Sequence, residues 1–148
     1  MRGHLDWIGL SPGLRAPIRE VEEAEVRIGT GLVGDRHAAK GRGRRQVTLV
    51  QAEALRGVEE WLGREVRPVD VRRNLVVSGI DLQTLDGRRF RVGTVILEGT
   101  GPCDPCDRMD ETLGPGGRAA LEGRGGLCAT VIEPGTVRIG DPVEGVRK

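Results

Sequence analysis

Apolar and polar residues alternate in short runs along most of this chain, and glycine or proline closes nearly every run. The runs are "EAEVRI", "RQVTLVQ", "RRNLVVSG", "RRFRVGTVILEG", "LCATVIEPG" and "GTVRIGDPVEGV". A period of two places alternate side chains on opposite faces of a strand. Six or more short strands at this spacing predict a mainly β protein, a barrel or a sandwich, rather than a parallel α/β sheet. Two windows follow a helical period instead. In "QAEALRGVEEWLGRE", Ala54, Leu55, Val58, Trp61 and Leu62 form one stripe that stops at Gly63, so this helix should cover a flank or mouth of the β structure. A second, shorter helix is expected in "DRMDETLG", with another turn in "GGRAALEG". The N-terminus around His4 is expected to fray, and His4 receives no role.

Length and composition narrow the picture without changing it. The 148 residues suit one domain, 1–148, able to bury a core without staples. A net charge of +1 gives no global attraction to nucleic acid or to an anionic membrane. With only Trp7, Trp61 and Phe90 as aromatics, a base-stacking surface is not expected either. No apolar run reaches the ~20 residues of a membrane span, and the N-terminus lacks a long apolar signal core, so a cytoplasmic location is expected. In a reducing compartment three cysteines are thiols, ligands or nucleophiles before they are a disulfide framework.

Three places carry candidate chemistry. The segment "GTGLVGDRHAAKGRGRRQVTL" holds Arg36, Lys40, Arg42, Arg44 and Arg45 against Asp35 alone. Its glycines let backbone N–H groups turn inward, so it reads either as an oxyanion-binding loop or as a solvated basic loop. His37, among these cations, should stay neutral and able to ligate or accept a hydrogen bond. In "RRNLVVSG", strand alternation would send Arg72 and Asn74 to one side and Arg73 to the other, offering a guanidinium and an amide to one ligand. Cys103-Asp-Pro-Cys106 has the C-x-x-C spacing of zinc sites and redox dithiols. Zinc would need Cys128 and a further ligand, and a thioredoxin-type site would need a βαβ setting. Alternatively Cys106 alone works as a thiolate, favoured by a helix start and by Arg108. Cys128, within "LCATVI", reads as a small buried hydrophobe.

The order of these motifs resembles the MOSC domain family, named for the C-terminal module of molybdenum cofactor sulfurases. The resemblance rests on "GLVGDRHAAKG", "RQVTLVQAEAL", "RRNLVVSGIDL", "GTVILEGTGPCDPCDRM" and "GLCATVIEPGTVRIGDPV". It implies a β-barrel with a few short helices. The family's Pro-Cys-x-[Lys/Arg]-hydrophobic pattern falls on Pro105, Cys106, Asp107, Arg108 and Met109, which makes Cys106 the implied functional thiol and metal ligand. Relatives hold the molybdenum of a molybdopterin cofactor on such a cysteine and reduce N-hydroxylated compounds. In the sulfurase setting the module is thought to handle sulfur, and there the family is associated with pyridoxal phosphate proteins. The resemblance therefore implies a molybdenum cofactor, with Arg36, His37, Arg45, Gln46, Arg72, Asn74 and Arg108 around its phosphate and pterin. The alternative it leaves is a sulfur carrier bearing a persulfide on Cys106, without catalysis. Neither an extra N-terminal barrel nor an iron–sulfur cysteine run is visible, so an electron donor or sulfur donor would be a separate protein. The C-terminal helical extension of longer bacterial relatives has no counterpart, and one reading of Cys103 is a thiol that resolves a persulfide or disulfide on Cys106.

Overall fold

The computed structural model describes residues 2–13, 16–35, 43, 45–103 and 112–146. Eleven strands and three α-helices are seen among these residues, so the fold is mainly β, as the alternation predicts. Seven strands close a barrel in the order β11 (Pro142–Gly145), β7 (Arg89–Val92), β8 (Val95–Pro102), β9 (Leu127–Glu133), β5 (Val47–Gln51), β6 (Leu75–Ser78) and β1 (Arg2–Leu10). The ring shuts where Gly3 of β1 faces Val143 of β11. β2 (Arg19–Val21) lengthens the sheet at the other end of β1, with Ile8 facing Val21. A separate three-stranded sheet joins β10 (Gly135–Arg138), β3 (Glu23–Arg27) and β4 (Gly31–Leu32).

All of the pairings around the ring are antiparallel except one. β5 and β6 run parallel, with Leu49 facing Leu75. A parallel pair needs a crossover, and the chain supplies it as α1 (Ala52–Leu62) and α2 (Pro68–Val71) on the outside of the barrel. β5 and β6 are thus covered on both faces, which is why they read as "VTLV" and "LVVS" with little polar interruption. Leu49, Leu75 and Val77 point into the barrel with Leu5, Ile8, Phe90 and Leu97. Val50 and Val76 point outward and pack with Trp7, Leu55, Val58 and Leu121 under the helices.

α1 ends at Gly63, which has φ 69° and returns its N–H to the Glu59 carbonyl, as the sequence reading expects. Its stripe is only partly buried. Leu55 and Val58 are covered, whereas Trp61 is 64% exposed and lies under the Arg124 guanidinium, 5.9 Å from its ring centre. The turn expected in "GGRAALEG" is α3 (Gly117–Leu121). Most of "DRMDETLG" lies outside the described residues, and its Thr112 and Leu113 are helical.

The N-terminus departs from expectation. Instead of fraying, residues 2–10 form a full barrel strand with Leu5 and Ile8 in the core. The register of β1 on β6 shifts between Leu5 and Trp7, so Leu5 and Ile8 face inward while Trp7 faces the helices. A bulge of this kind breaks the period of two, and with it the signal that reveals a strand in a sequence.

Candidate functional site

The polar residues that the barrel buries are concentrated on one outer flank, around the beginnings of β5 and β6 and the junction of β8 with β9. Asn74 is the centre of one cluster. Its Oδ1 accepts from the Thr48 N–H at 3.0 Å and the Thr48 hydroxyl at 3.2 Å, and its Nδ2 donates to the Gly9 carbonyl at 3.1 Å and to Asp35 Oδ1 at 3.0 Å. All four capacities of the amide are therefore engaged by the protein. Asp35 also accepts the Ser11 N–H at 2.7 Å, and Arg72 Nη2 donates to the Ser11 hydroxyl at 3.0 Å. Asp35 is 3% exposed, and it is the last described residue before the basic loop leaves the barrel. A buried carboxylate with these donors fixes the loop's exit.

The loop's return is fixed as firmly. Gln46 is buried, with Nε2 donating to the Gly43 carbonyl and Oε1 accepting the Val131 N–H at 2.9 Å. Gly31, at φ 115°, packs against the Gln46 backbone so closely that a Cβ there would stand 2.2 Å from the Gln46 carbonyl oxygen. Only glycine permits that contact and that φ together. Exit and return are thus held side by side, and Arg45 is exposed at the return.

The residue before Asn74 organises the second cluster. Arg73 is buried, and its guanidinium donates to the carbonyls of Gly125 at 2.8 Å, Cys103 at 3.2 Å and Val71 at 3.3 Å. It ties the start of β6 to the end of β8 and to the loop before β9. Cys103 and Cys128 are both buried thiols beside it. The Cys128 thiol is pushed far above its ordinary value, first by its hydrogen bond to Cys103, then by burial and by charge on Cys103, against the pull of Arg45 and Arg73. A cavity of about 450 Å³ opens against Cys103, between Gln51, Leu82 and Gln83 on one side and Gly125 and Gly126 on the other. Gly126, at φ 116°, presses on Leu49, where a Cβ would lie 1.9 Å from the carbonyl oxygen.

The residues singled out from the sequence divide as follows. Arg72 and Asn74 do converge, on Ser11 and Asp35, but not through strand alternation. Arg72 is the C-cap of α2 with φ 55°, and β6 begins only at Leu75. Arg45 and Gln46 sit at the loop's return, with Gln46 turned to the protein. Arg36, His37, Cys106 and Arg108 lie outside the described residues. Among the described residues no three His, Cys, Asp or Glu side chains form a ready metal centre. Sequence reasoning assigned no role to Ser11, Thr48 or the Arg73 contacts. An arginine beside an asparagine at a strand start carries no signal of which backbone segments it will reach.

The family model described as MOSC domain matches residues 33–144. Among solved structures, the YuaD protein from Bacillus subtilis superposes with a TM-score of 0.82 at 21% identity, covering 100% of this chain and 98% of that one. YiiM from Geobacillus stearothermophilus gives 0.79 at 17% identity, with 98% of this chain and 75% of that one covered. YiiM from Escherichia coli gives 0.71 at 21%, with 100% and 71% covered. No curated protein sequence matches the chain.

Proposed function

The chain belongs to the MOSC domain family, and on that premise we propose that it binds a molybdenum cofactor on its polar flank, with the Cys106 thiolate as metal ligand, and reduces N-hydroxylated compounds. The single observation that carries this reading is the continuity of the flank. Asp35 and Gln46 fix the two ends of the basic loop. Thr48, bonded to Asn74, is paired across the strands with Cys128. Cys103, held by Arg73, is the last described residue before the Cys106 segment. The basic loop therefore returns on β5 and the Cys106 segment leaves from β8, with β9 between them, although roughly sixty residues separate the two motifs in the chain.

The donor set suits such a cofactor. A molybdopterin presents an anionic phosphate at one end and a soft, sulfur-ligated metal at the other. Arg45 and Arg72 offer guanidinium groups at the loop's base, and the Cys103 and Cys128 thiols stand where β8 ends and β9 begins. In this reading Arg36, His37, Arg45, Arg72 and Arg108 hold the anion and the pterin. Gln46 and Asn74 act through the backbone they fix, because their amides are engaged within the protein. When bound, the cofactor supplies two-electron redox and oxo-transfer chemistry. The protein orients it, and the buried Asp35–Asn74–Thr48 network keeps the base of the loop rigid so that no reorganisation is needed on binding. Electrons arrive from a separate donor protein.

The test is anaerobic purification from a host that makes the cofactor, followed by elemental analysis. Near-stoichiometric molybdenum is expected in the wild type and its loss in Cys106→Ser. Arg45→Ala and Arg72→Ala should retain less of it, with the loss growing as salt is raised. Absence of molybdenum together with labile sulfur that depends on Cys106 would replace this reading with that of a sulfur carrier fed by a donor protein.

A further inference from the structure

The C-x-x-C spacing directs attention to Cys103 and Cys106 as partners, but the fold gives Cys103 a different neighbour. β8 and β9 are antiparallel, with Gly101 facing Cys128 and Pro102 facing Leu127. Beyond the last pair, the Cys103 N–H donates to the Gly126 carbonyl at 2.8 Å, which keeps the two chains together up to Cys103. The Cys128 sulfur lies 3.9 Å from the Pro102 carbonyl oxygen and is in hydrogen-bond contact with the Cys103 side chain. Twenty-five residues of sequence thus close into one thiol pair. Arg73 holds the Cys103 carbonyl and the Gly125 carbonyl with one guanidinium, so both sides of the pair are clamped by the same side chain.

The two thiols are not equivalent. Cys103 lines the cavity of about 450 Å³, whereas Cys128 does not reach its wall. The Cys128 S–H donates to the Pro102 carbonyl, and the neighbouring Cys103 sulfur together with burial raises the Cys128 thiol above its ordinary range. Both thiols are buried, Cys103 at 1% and Cys128 at 8% exposure, so a disulfide reaches Cys103 from the cavity it lines, and the second thiol beside it can complete the exchange.

We propose that Cys103 and Cys128 form a redox-active dithiol, entered by small disulfides through the cavity, and that Cys103 rather than Cys106 is the partner of Cys128. The Cys103 thiolate attacks one sulfur of a disulfide RSSR, forming a Cys103–SR bond and releasing RS⁻. Cys128 then gives up its proton and attacks the Cys103 sulfur, displacing the second RS⁻. The two departing thiolates take up the two protons. The pair is oxidised by two electrons and RSSR is reduced to two RSH. Cys103 and Cys128 lie on one face of adjacent strands, two positions apart in register, and an S–S bond of about 2.05 Å forms as the two side chains and the end of β8 adjust. The inference goes beyond molybdenum binding and does not depend on it, because neither Cys106 nor a metal takes part.

The full chain is incubated anaerobically with 2-hydroxyethyl disulfide, quenched with N-ethylmaleimide under denaturing conditions, and mapped. Cleavage before aspartate cuts between Cys103 and Asp104, which separates Cys103 from Cys106. Two of the three thiols should disappear, with a peptide ending at Cys103 joined to the peptide containing Cys128. Cys106→Ser should still lose two thiols. Cys128→Ser should stop at the mixed disulfide on Cys103, seen as one hydroxyethylthio adduct at that residue. A Cys103–Cys106 bond, a Cys106–Cys128 bond, or retention of all three thiols in the wild type would overturn the proposal. The wild-type map alone decides this, so a variant that fails to fold leaves the test intact.

Discussion

The inside of the barrel and its polar flank use opposite means to reach the same degree of burial. The interior is aliphatic around a single aromatic, Phe90, and its order follows from shape and alternation. The flank encloses Asp35, Gln46, Thr48, Arg73 and Asn74, each less than one-tenth exposed, and its order follows from hydrogen bonds aimed at particular backbone groups. An interior of this type tolerates a change that keeps volume, whereas a buried polar network fails when one member loses its partner. The difference teaches where specificity lies in this molecule. The barrel makes the chain compact, and the flank decides how two distant loops are presented.

The contrast can be broken first from the inside. Phe90→Ala should cost about 4 kcal/mol in urea unfolding through the cavity it leaves, while Phe90→Leu should cost much less. On the flank the order of tolerance reverses. Asn74→Leu keeps the bulk, yet should cost about 3 kcal/mol, because the Thr48 N–H, the Gly9 carbonyl and the Asp35 carboxylate each lose a partner. If it cost less than Phe90→Leu, the flank would be held by packing after all. Arg73→Met should cost about 2 kcal/mol by freeing three carbonyls, and hydrogen exchange should rise at Cys103 and Gly126 before it rises in β7.

The smallest effect belongs to Glu53, at the start of α1. Burial raises its carboxyl, but hydrogen bonds from the Gly79 N–H and its own N–H, with Arg56 and Gln51, outweigh that and leave it below its ordinary value. A carboxyl lowered in the folded state stabilises above its unfolded pKa of about 4.3, and the contribution disappears as pH falls through the folded value. Glu53→Gln should therefore cost a few tenths of a kcal/mol, about 0.5 at most, near neutral pH and nothing in acid, since the side chain is 42% exposed. Urea titrations at pH 7 and pH 3 separate the two.

Much of the interior was legible in the chain. The runs that alternate became β3, β5, β6, β7, β8, β9, β10 and β11, and the 3.6-residue stripe became α1. β1 was not legible, because its bulge puts Leu5, Trp7 and Ile8 out of a simple period. The flank was legible as residue types and not as contacts. Arg72, Asn74 and Gln46 stood out, but Arg72 turned out to be a left-handed helix cap, and the amides of Asn74 and Gln46 turned out to be engaged within the protein. Cys128 is buried, as its apolar neighbours suggested, yet its thiol faces Cys103 rather than a purely apolar wall.

Periodicity is a local property, so the sequence by itself determined most of the strands, the main helix and the family to which they belong. Which thiol faces which, and which carbonyls one arginine reaches, depended on the closure of the ring. β8 and β9 are neighbours because each strand must pair on both edges, and that pairing brings Cys103 against Cys128 across a connection that no local pattern describes. The same closure lays the start of β6 beside β1 and β5, where Arg73 and Asn74, adjacent in the chain, turn to two different loops.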